Sequence, residues 1–144
     1  ILTGGHIILG LPGETHDTMV AQAGMLSELP LSTLKIHQLQ LIRGTRMAHE
    51  YEENPTGFHL FREVDEYIDL VIDYVEHLHP DLVLERFVSQ SPKELLIAPD
   101  WGLKNYEFVT RLQKRMKERG AYQGKKYRDS EKRVIFAEDN FTTE

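Results

Sequence analysis

Three short strand-like segments, two of them apolar runs closed by glycine or serine and one alternating, are interleaved with helical periodicities, and that order restricts the chain to an α/β architecture. Ile7-Ile8-Leu9 lies between Gly4-Gly5 and Gly10, with Pro12-Gly13 beyond, and reads as a buried strand over residues 5–10. Thr15 is placed to cap a helix with Asp17 in its first turn. Met19, Val20, Ala23, Leu26 and Leu29 then recur at helical spacing until Pro30. From Leu34 to Leu41 the pattern alternates: Leu34, Ile36 and Gln38 share one face, and Lys35, His37, Leu39 and Leu41 the other, which predicts a second strand. Val64, Tyr67, Ile68, Val71, Ile72, Val75 and Leu78 mark a long amphipathic helix that Pro80 ends. Leu82 to Val88 reads as a third strand, closed by Ser89-Gln90-Ser91-Pro92. This order implies parallel strands with right-handed crossovers and chemistry at their C-terminal ends, in the loops after residues 10, 41 and 88.

Between the second strand and the long helix, residues 46–53 read as a short helix broken by Asn54-Pro55-Thr56-Gly57. Tyr106 to Lys117 reads as a last helix, after which periodicity is lost and an extended or disordered tail is expected. The chain has 144 residues and is 40% hydrophobic, enough for one ordinary core. It lacks an apolar run of the roughly 18 to 20 residues that span a bilayer, and its start lacks the order of a signal peptide. A cytoplasmic protein without membrane partners is expected. With no cysteine, it can supply no thiolate to a zinc or iron-sulfur site. The first residue is Ile1 and an apolar run follows almost at once, which reads as an excised segment or a processed chain.

The net charge of -6 conceals two opposed regions. Residues 1–103 carry 6 Lys/Arg against 16 Asp/Glu, whereas residues 104–133 carry 11 against 4, so local charges of -10 and +7 sit side by side. In the basic part, Arg111, Lys114, Arg115 and Lys117 cluster on a helix, with Tyr106, Tyr122 and Tyr127 interleaved. These are candidates to follow the phosphate backbone of a polyanion. A solvated helix that balances the acidic part is the competing reading.

Several local patterns have a bland alternative. Gly10-Leu11-Pro12-Gly13-Glu14-Thr15 leads from strand to helix and can present N–H groups to a phosphate, yet it lacks the Walker lysine, so a tight turn is the default. His49-Glu50-Tyr51-Glu52-Glu53 begins like a zinc motif but ends on Glu, so it reads as an acidic helix and no metal is assigned. His77 and His79 sit where a helix end favours a cation, hence as caps. Lys35 and His37 place two polar side chains on one face of an apolar strand: either the strand's polar face is in water, or a cavity lies there.

HIILGLPGETHDTM, LKIHQLQLIRGTRMA, DEYIDLVIDYVEHLHPDLVLER, IAPDW and YQG, in this order over residues 3–124, together resemble the YhcC-like radical S-adenosylmethionine (SAM) proteins. The resemblance implies the C-terminal portion of a partial parallel (βα) barrel over residues 1–103, similar to a TIM barrel, with a helical, basic extension over residues 104–144. It implies SAM and a 4Fe-4S cluster in the full-length parent, an oxidoreductase-like enzyme that cleaves SAM to a 5'-deoxyadenosyl radical. The family's C-x3-C-x2-C loop has no counterpart here, so the chain alone is expected to hold no cofactor, to carry no catalytic residue and to be inactive. By the same analogy Ile8 and Gly10 lie beside the adenosine, and the backbone of Leu39, Gln40 and Leu41 contacts adenine. His6, Lys35, His37 and Arg86 are then polar lining residues of the cavity. The parity of the first strand agrees, since His6, Ile8 and Gly10 share a face. The expected partners are the missing N-terminal half of the barrel, tRNA, and a second copy through the exposed barrel edge. A cluster-less α/β binding module without catalysis is the alternative, and three cysteines upstream in the coding sequence would exclude it.

Overall fold

Thr15, in extended conformation, accepts from the N–H of Thr18, and the Thr18 hydroxyl accepts from the N–H of Thr15; together they start a helix after the first strand. In the computed structural model, which describes residues 1–127, strand β1 spans Gly4–Leu9 and helix α1 spans His16–Ser27. Then come β2 (Thr33–Gln38), β3 (Leu41–Ile42), α2 (Arg46–Glu53), a 3-10 turn at Pro55–Gly57 and α3 (Val64–Glu76). The chain continues through β4 (Val83–Arg86), β5 (Leu96–Ala98) and α4 (Asn105–Arg119).

β1, β2 and β4 form one parallel sheet in the order β1-β2-β4, which leaves β1 at one edge. Leu9, Leu34 and Ile36 turn to one face and pack with Met19 and Ala23 of α1 and with Ile68, Val71, Ile72 and Val75 of α3. A one-residue slip would carry these side chains into solvent, so the apolar parity fixes the register. His6, Ile8, Lys35 and His37 therefore lie on the opposite, open face.

The second strand is shorter than its alternation suggests. It ends at Gln38, and Leu41–Ile42 pairs antiparallel with β5, a strand the sequence pattern does not reveal. The alternation continues because Leu39 and Leu41 fill a second apolar cluster with Leu60, flanked by Met47, Tyr51 and Phe58. The third strand likewise shortens to Val83–Arg86, and the last helix reaches Arg119, where Gly120 takes the left-handed conformation that ends it.

Trp101 of the IAPDW segment is partly buried and packs against the core. Its Nε1–H donates to the carbonyl of Phe61 at 2.8 Å, and its ring forms a three-ring cluster with Tyr67 and Phe108. Gln123 donates to the carbonyls of His79 and Leu82, and Gly124 N–H to Val75, so the YQG segment ties the chain after α4 to the end of α3. The expected extension is described as far as residue 127; the expected tail, with Arg128, Lys132 and Arg133, lies outside the described residues.

Candidate functional site

The open face gathers its polar groups in rows across the sheet. His6 of β1 pairs in register with Lys35 of β2, and Lys35 with Arg86 of β4. One row further, Ile8 stands beside His37. Ile8 keeps 46% of its surface exposed although it sits in a sheet whose reverse face is buried.

His37 is the centre of this face. Its Nε2 lies 3.2 Å from Nδ1 of His6, and its Nδ1 meets the hydroxyl of Ser89 from the loop after β4. Partial burial, then the charges of His6, Arg86 and Lys35, hold its pKa below the usual histidine value of 6.5, so the imidazole is neutral at pH 7. The nearby carboxylate of Glu85 lies 3.8 Å from Lys35. Among the described residues no group of three or more histidines and carboxylates is arranged to hold a metal.

The loops at the strand ends are held from within. Gln38 accepts from the N–H of Ser89 at 2.7 Å and donates to its carbonyl at 3.1 Å, which extends the β2–β4 pairing through a side chain. Gln40 donates to the same carbonyl and accepts from the Ser91 hydroxyl. Its amide is thus committed to the loop. Leu39 gives its N–H to the carbonyl of Leu9, and Leu41 pairs with Ala98. Beyond Gln38 and Ser89, a cavity of about 330 Å³ is lined by Gln40, Gln90, Ser91 and Trp101 among others.

Gly10 takes a φ of +95°, and Glu14 folds back so that Oε1 accepts the N–H of Leu11 at 2.8 Å while Oε2 accepts from Gln22. The turn therefore carries its own carboxylate where a phosphate would otherwise be sought. His49 pairs with Glu53 at 3.2 Å on an exposed helix turn. His77 Nδ1–H donates to the carbonyl of Asp73 as a cap, whereas His79 accepts from Asp81 N–H and makes no such contact.

The four basic candidates of α4 are divided. Arg115 Nε lies 3.0 Å from Asp69 of α3, and Glu118 is also in reach, so this side chain serves the α3–α4 contact. Arg119, outside the expected cluster, bridges Asp69, Asp73 and Glu76. Arg111 and Lys114 share a cleft of about 340 Å³ with Asp65 and Glu118. Among the described residues, Arg111, Lys114 and Lys117 have no carboxylate within salt-bridge distance.

A parallel sheet with helices on one face and an open, polar opposite face is the arrangement of a segment of (βα) barrel wall. Residues 31–118, more than half of the chain, match the radical SAM C-terminal domain, and the chain belongs to that family. It is 37% identical over 120 residues to the protein YtqA of Bacillus subtilis and 24% identical over 116 residues to the protein YhcC of Escherichia coli K12. These alignments cover 83% and 80% of this chain but 36% of either relative, so the chain spans about a third of their length. The fold is that of the archaeal Elp3 of Methanocaldococcus infernus, solved with an N-terminal deletion, at a TM-score of 0.69 and 15% identity. That superposition covers 85% of this chain and 28% of the other. Among the described residues no helix is long and apolar enough to cross a membrane.

Proposed function

We propose that the chain supplies the later strands of a radical SAM barrel and that its open face walls the cavity in which the full-length protein holds SAM. The exposure of Ile8 on a strand face, between His6 and Gly10, carries this reading. Ile8 offers apolar surface to an adenine or ribose, whereas the space beside Gly10 is filled by the Phe61 ring. The residues present do not fit the 4Fe-4S cluster, which needs thiolates that this chain lacks. Cluster and SAM supply reductive cleavage of SAM in such enzymes, and this chain's contribution is to position and shield. Lys35 and Arg86 add positive charge beside the cavity, suited to an anionic substrate. The α4 cations Arg111, Lys114 and Lys117 support a tRNA substrate.

Calorimetry on the full-length, anaerobically reconstituted protein tests the wall. Ile8→Arg is expected to weaken SAM binding at least ~10-fold, about 1.4 kcal/mol. The chain by itself, lacking the cluster that holds the methionine end, is expected to bind SAM at about 1 mM or weaker. Micromolar binding by the chain alone, or unchanged binding in Ile8→Arg, defeats the reading.

A further inference from the structure

Three groups from three parts of the fold form a continuous hydrogen-bonded chain: the Ser89 hydroxyl, the His37 imidazole and the His6 imidazole. The two rings are nearly parallel, with 4° between their planes, and their centroids are 5.4 Å apart. With a nitrogen–nitrogen contact of 3.2 Å, that separation is close to the contact plus two ring radii. The rings thus meet edge to edge, the geometry of a hydrogen bond between nitrogens. The ends of the chain open on different spaces. Ser89 lines the polar cavity beyond the strand ends, while His6 is exposed on the open face. Gln38, through both atoms of its amide, pins the main chain of Ser89 and so fixes the hydroxyl against His37.

We propose that Ser89, His37 and His6 form a proton relay between the polar cavity and the open face, serving a polar substrate that must lose or gain a proton at a hydroxyl or amine. A neutral imidazole has one donor and one acceptor nitrogen, which is what a relay needs and what a doubly protonated ring lacks. Burial favours the neutral ring of His37 most, and Arg86 from β4 and Lys35 from its own strand act in the same direction, as would a proton on His6 of β1. In one direction the substrate X–H gives its proton to Ser89 Oγ as the Ser89 hydroxyl proton passes to His37 Nδ1. The proton on His37 Nε2 passes to His6 Nδ1, and the proton on His6 Nε2 leaves to solvent. Each relay atom breaks one bond to hydrogen or makes one, the substrate loses one proton and solvent gains one. The reverse sequence protonates a product.

This inference goes beyond the SAM wall and does not depend on it, because its test needs no cofactor. Nitrogen NMR of the full-length protein with labelled histidine reads the tautomer and titration of both rings. The expected result is a neutral His37 at pH 7 and, in Ser89→Ala, a changed tautomer at His6 as well as at His37, although Ser89 touches only His37. Ser89→Thr should restore both signals. His6→Gln gives the reciprocal test from the exposed end and should change the tautomer of His37. Two histidines that titrate independently, or a Ser89→Ala variant that alters His37 alone, overturn the relay and leave the SAM reading standing. Loss of SAM binding in Ile8→Arg with the histidine coupling intact does the opposite.

Discussion

Phe61 occupies the space that a side chain on Gly10 would need: a Cβ there would lie 2.8 Å from ring atom Cε2. The ring cannot easily give way, since it packs against Tyr67 at 5.3 Å and its carbonyl holds the Trp101 indole. Gly10→Ala is expected to cost about 2–3 kcal/mol, from left-handed strain and overpacking together. Gly13→Ala, at a φ of +84° with open space around it, should cost only the strain, about 1 kcal/mol. Urea denaturation compares the two, and equal losses would mean that the close approach of Phe61 carries no energy.

Arg119 is the cation that joins α4 to α3. Its Nη2 lies 2.6 Å from Asp73 and 3.6 Å from Glu76, whose side chain is 5% exposed. Removing the guanidinium leaves a buried carboxylate whose remaining ion-pair partner among the described residues is the more distant Lys126 at 3.9 Å. Arg119→Ala should therefore destabilise the chain by about 1–3 kcal/mol, whereas Arg111→Ala should stay within about 0.5 kcal/mol. A double-mutant cycle with Asp73→Ala isolates the pair, and additivity of the two changes would dismiss it.

The parity of the sheet was legible because buried strands leave no choice: Leu34 and Ile36 against the helices force Lys35 and His37 to the other side. β5 was not legible, since three residues after a Ser-Pro turn have no period to detect and pair only with the two residues of β3. Ser89 falls in the loop after residue 88 that the strand order marks for chemistry, but it comes 52 residues after His37, and no sequence pattern couples the two. The division of the α4 cations needed the register of α4 on α3, which charge counting does not contain.

Acid should act on stability in two windows. His37 has a folded pKa below its unfolded value of 6.5, so the unfolded chain takes up the proton first and stability falls as pH drops from 6.5 through the folded value. Burial raises the pKa of Asp73, but hydrogen bonds and charge from Arg119 and His16 outweigh it and leave it below 3.8. Its contribution is present above that pH and is lost as pH falls through the folded value. His37→Gln should flatten the upper window and keep the lower one. An unchanged slope just below pH 6.5 in that variant would assign the upper window to another group.

The edge at β1 is expected to make the chain alone self-associate. Among the described residues β1 has a neighbour on one side only, and Ile1, Leu2 and Ile8 beside it are exposed. Light scattering at rising concentration should show dimers or larger species, reduced when Leu2 and Ile8 are both changed to Lys. A monodisperse monomer at high concentration would show that the edge is already protected.

Polyanion binding by α4 has a sharper test once Arg115 is set aside as a partner of Asp69. Arg111, Lys114 and Lys117 remain as cations with no carboxylate within salt-bridge distance among the described residues, spread over two turns of one helix. If they neutralise phosphates of tRNA, each contact releases counterions and contributes roughly -0.7 to -0.9 to the slope of log affinity against log salt. Changing the three together to Glu should therefore flatten that slope by about 2 and weaken binding at low salt most, because like charge adds repulsion to the lost contacts. Arg115→Ala should act differently, since it loosens the α3–α4 contact while leaving these three cations in place. Competition binding of the full-length protein to tRNA across a salt series separates the two variants. An unchanged slope in the triple variant would leave α4 as a helix whose charge only balances the acidic face of α3.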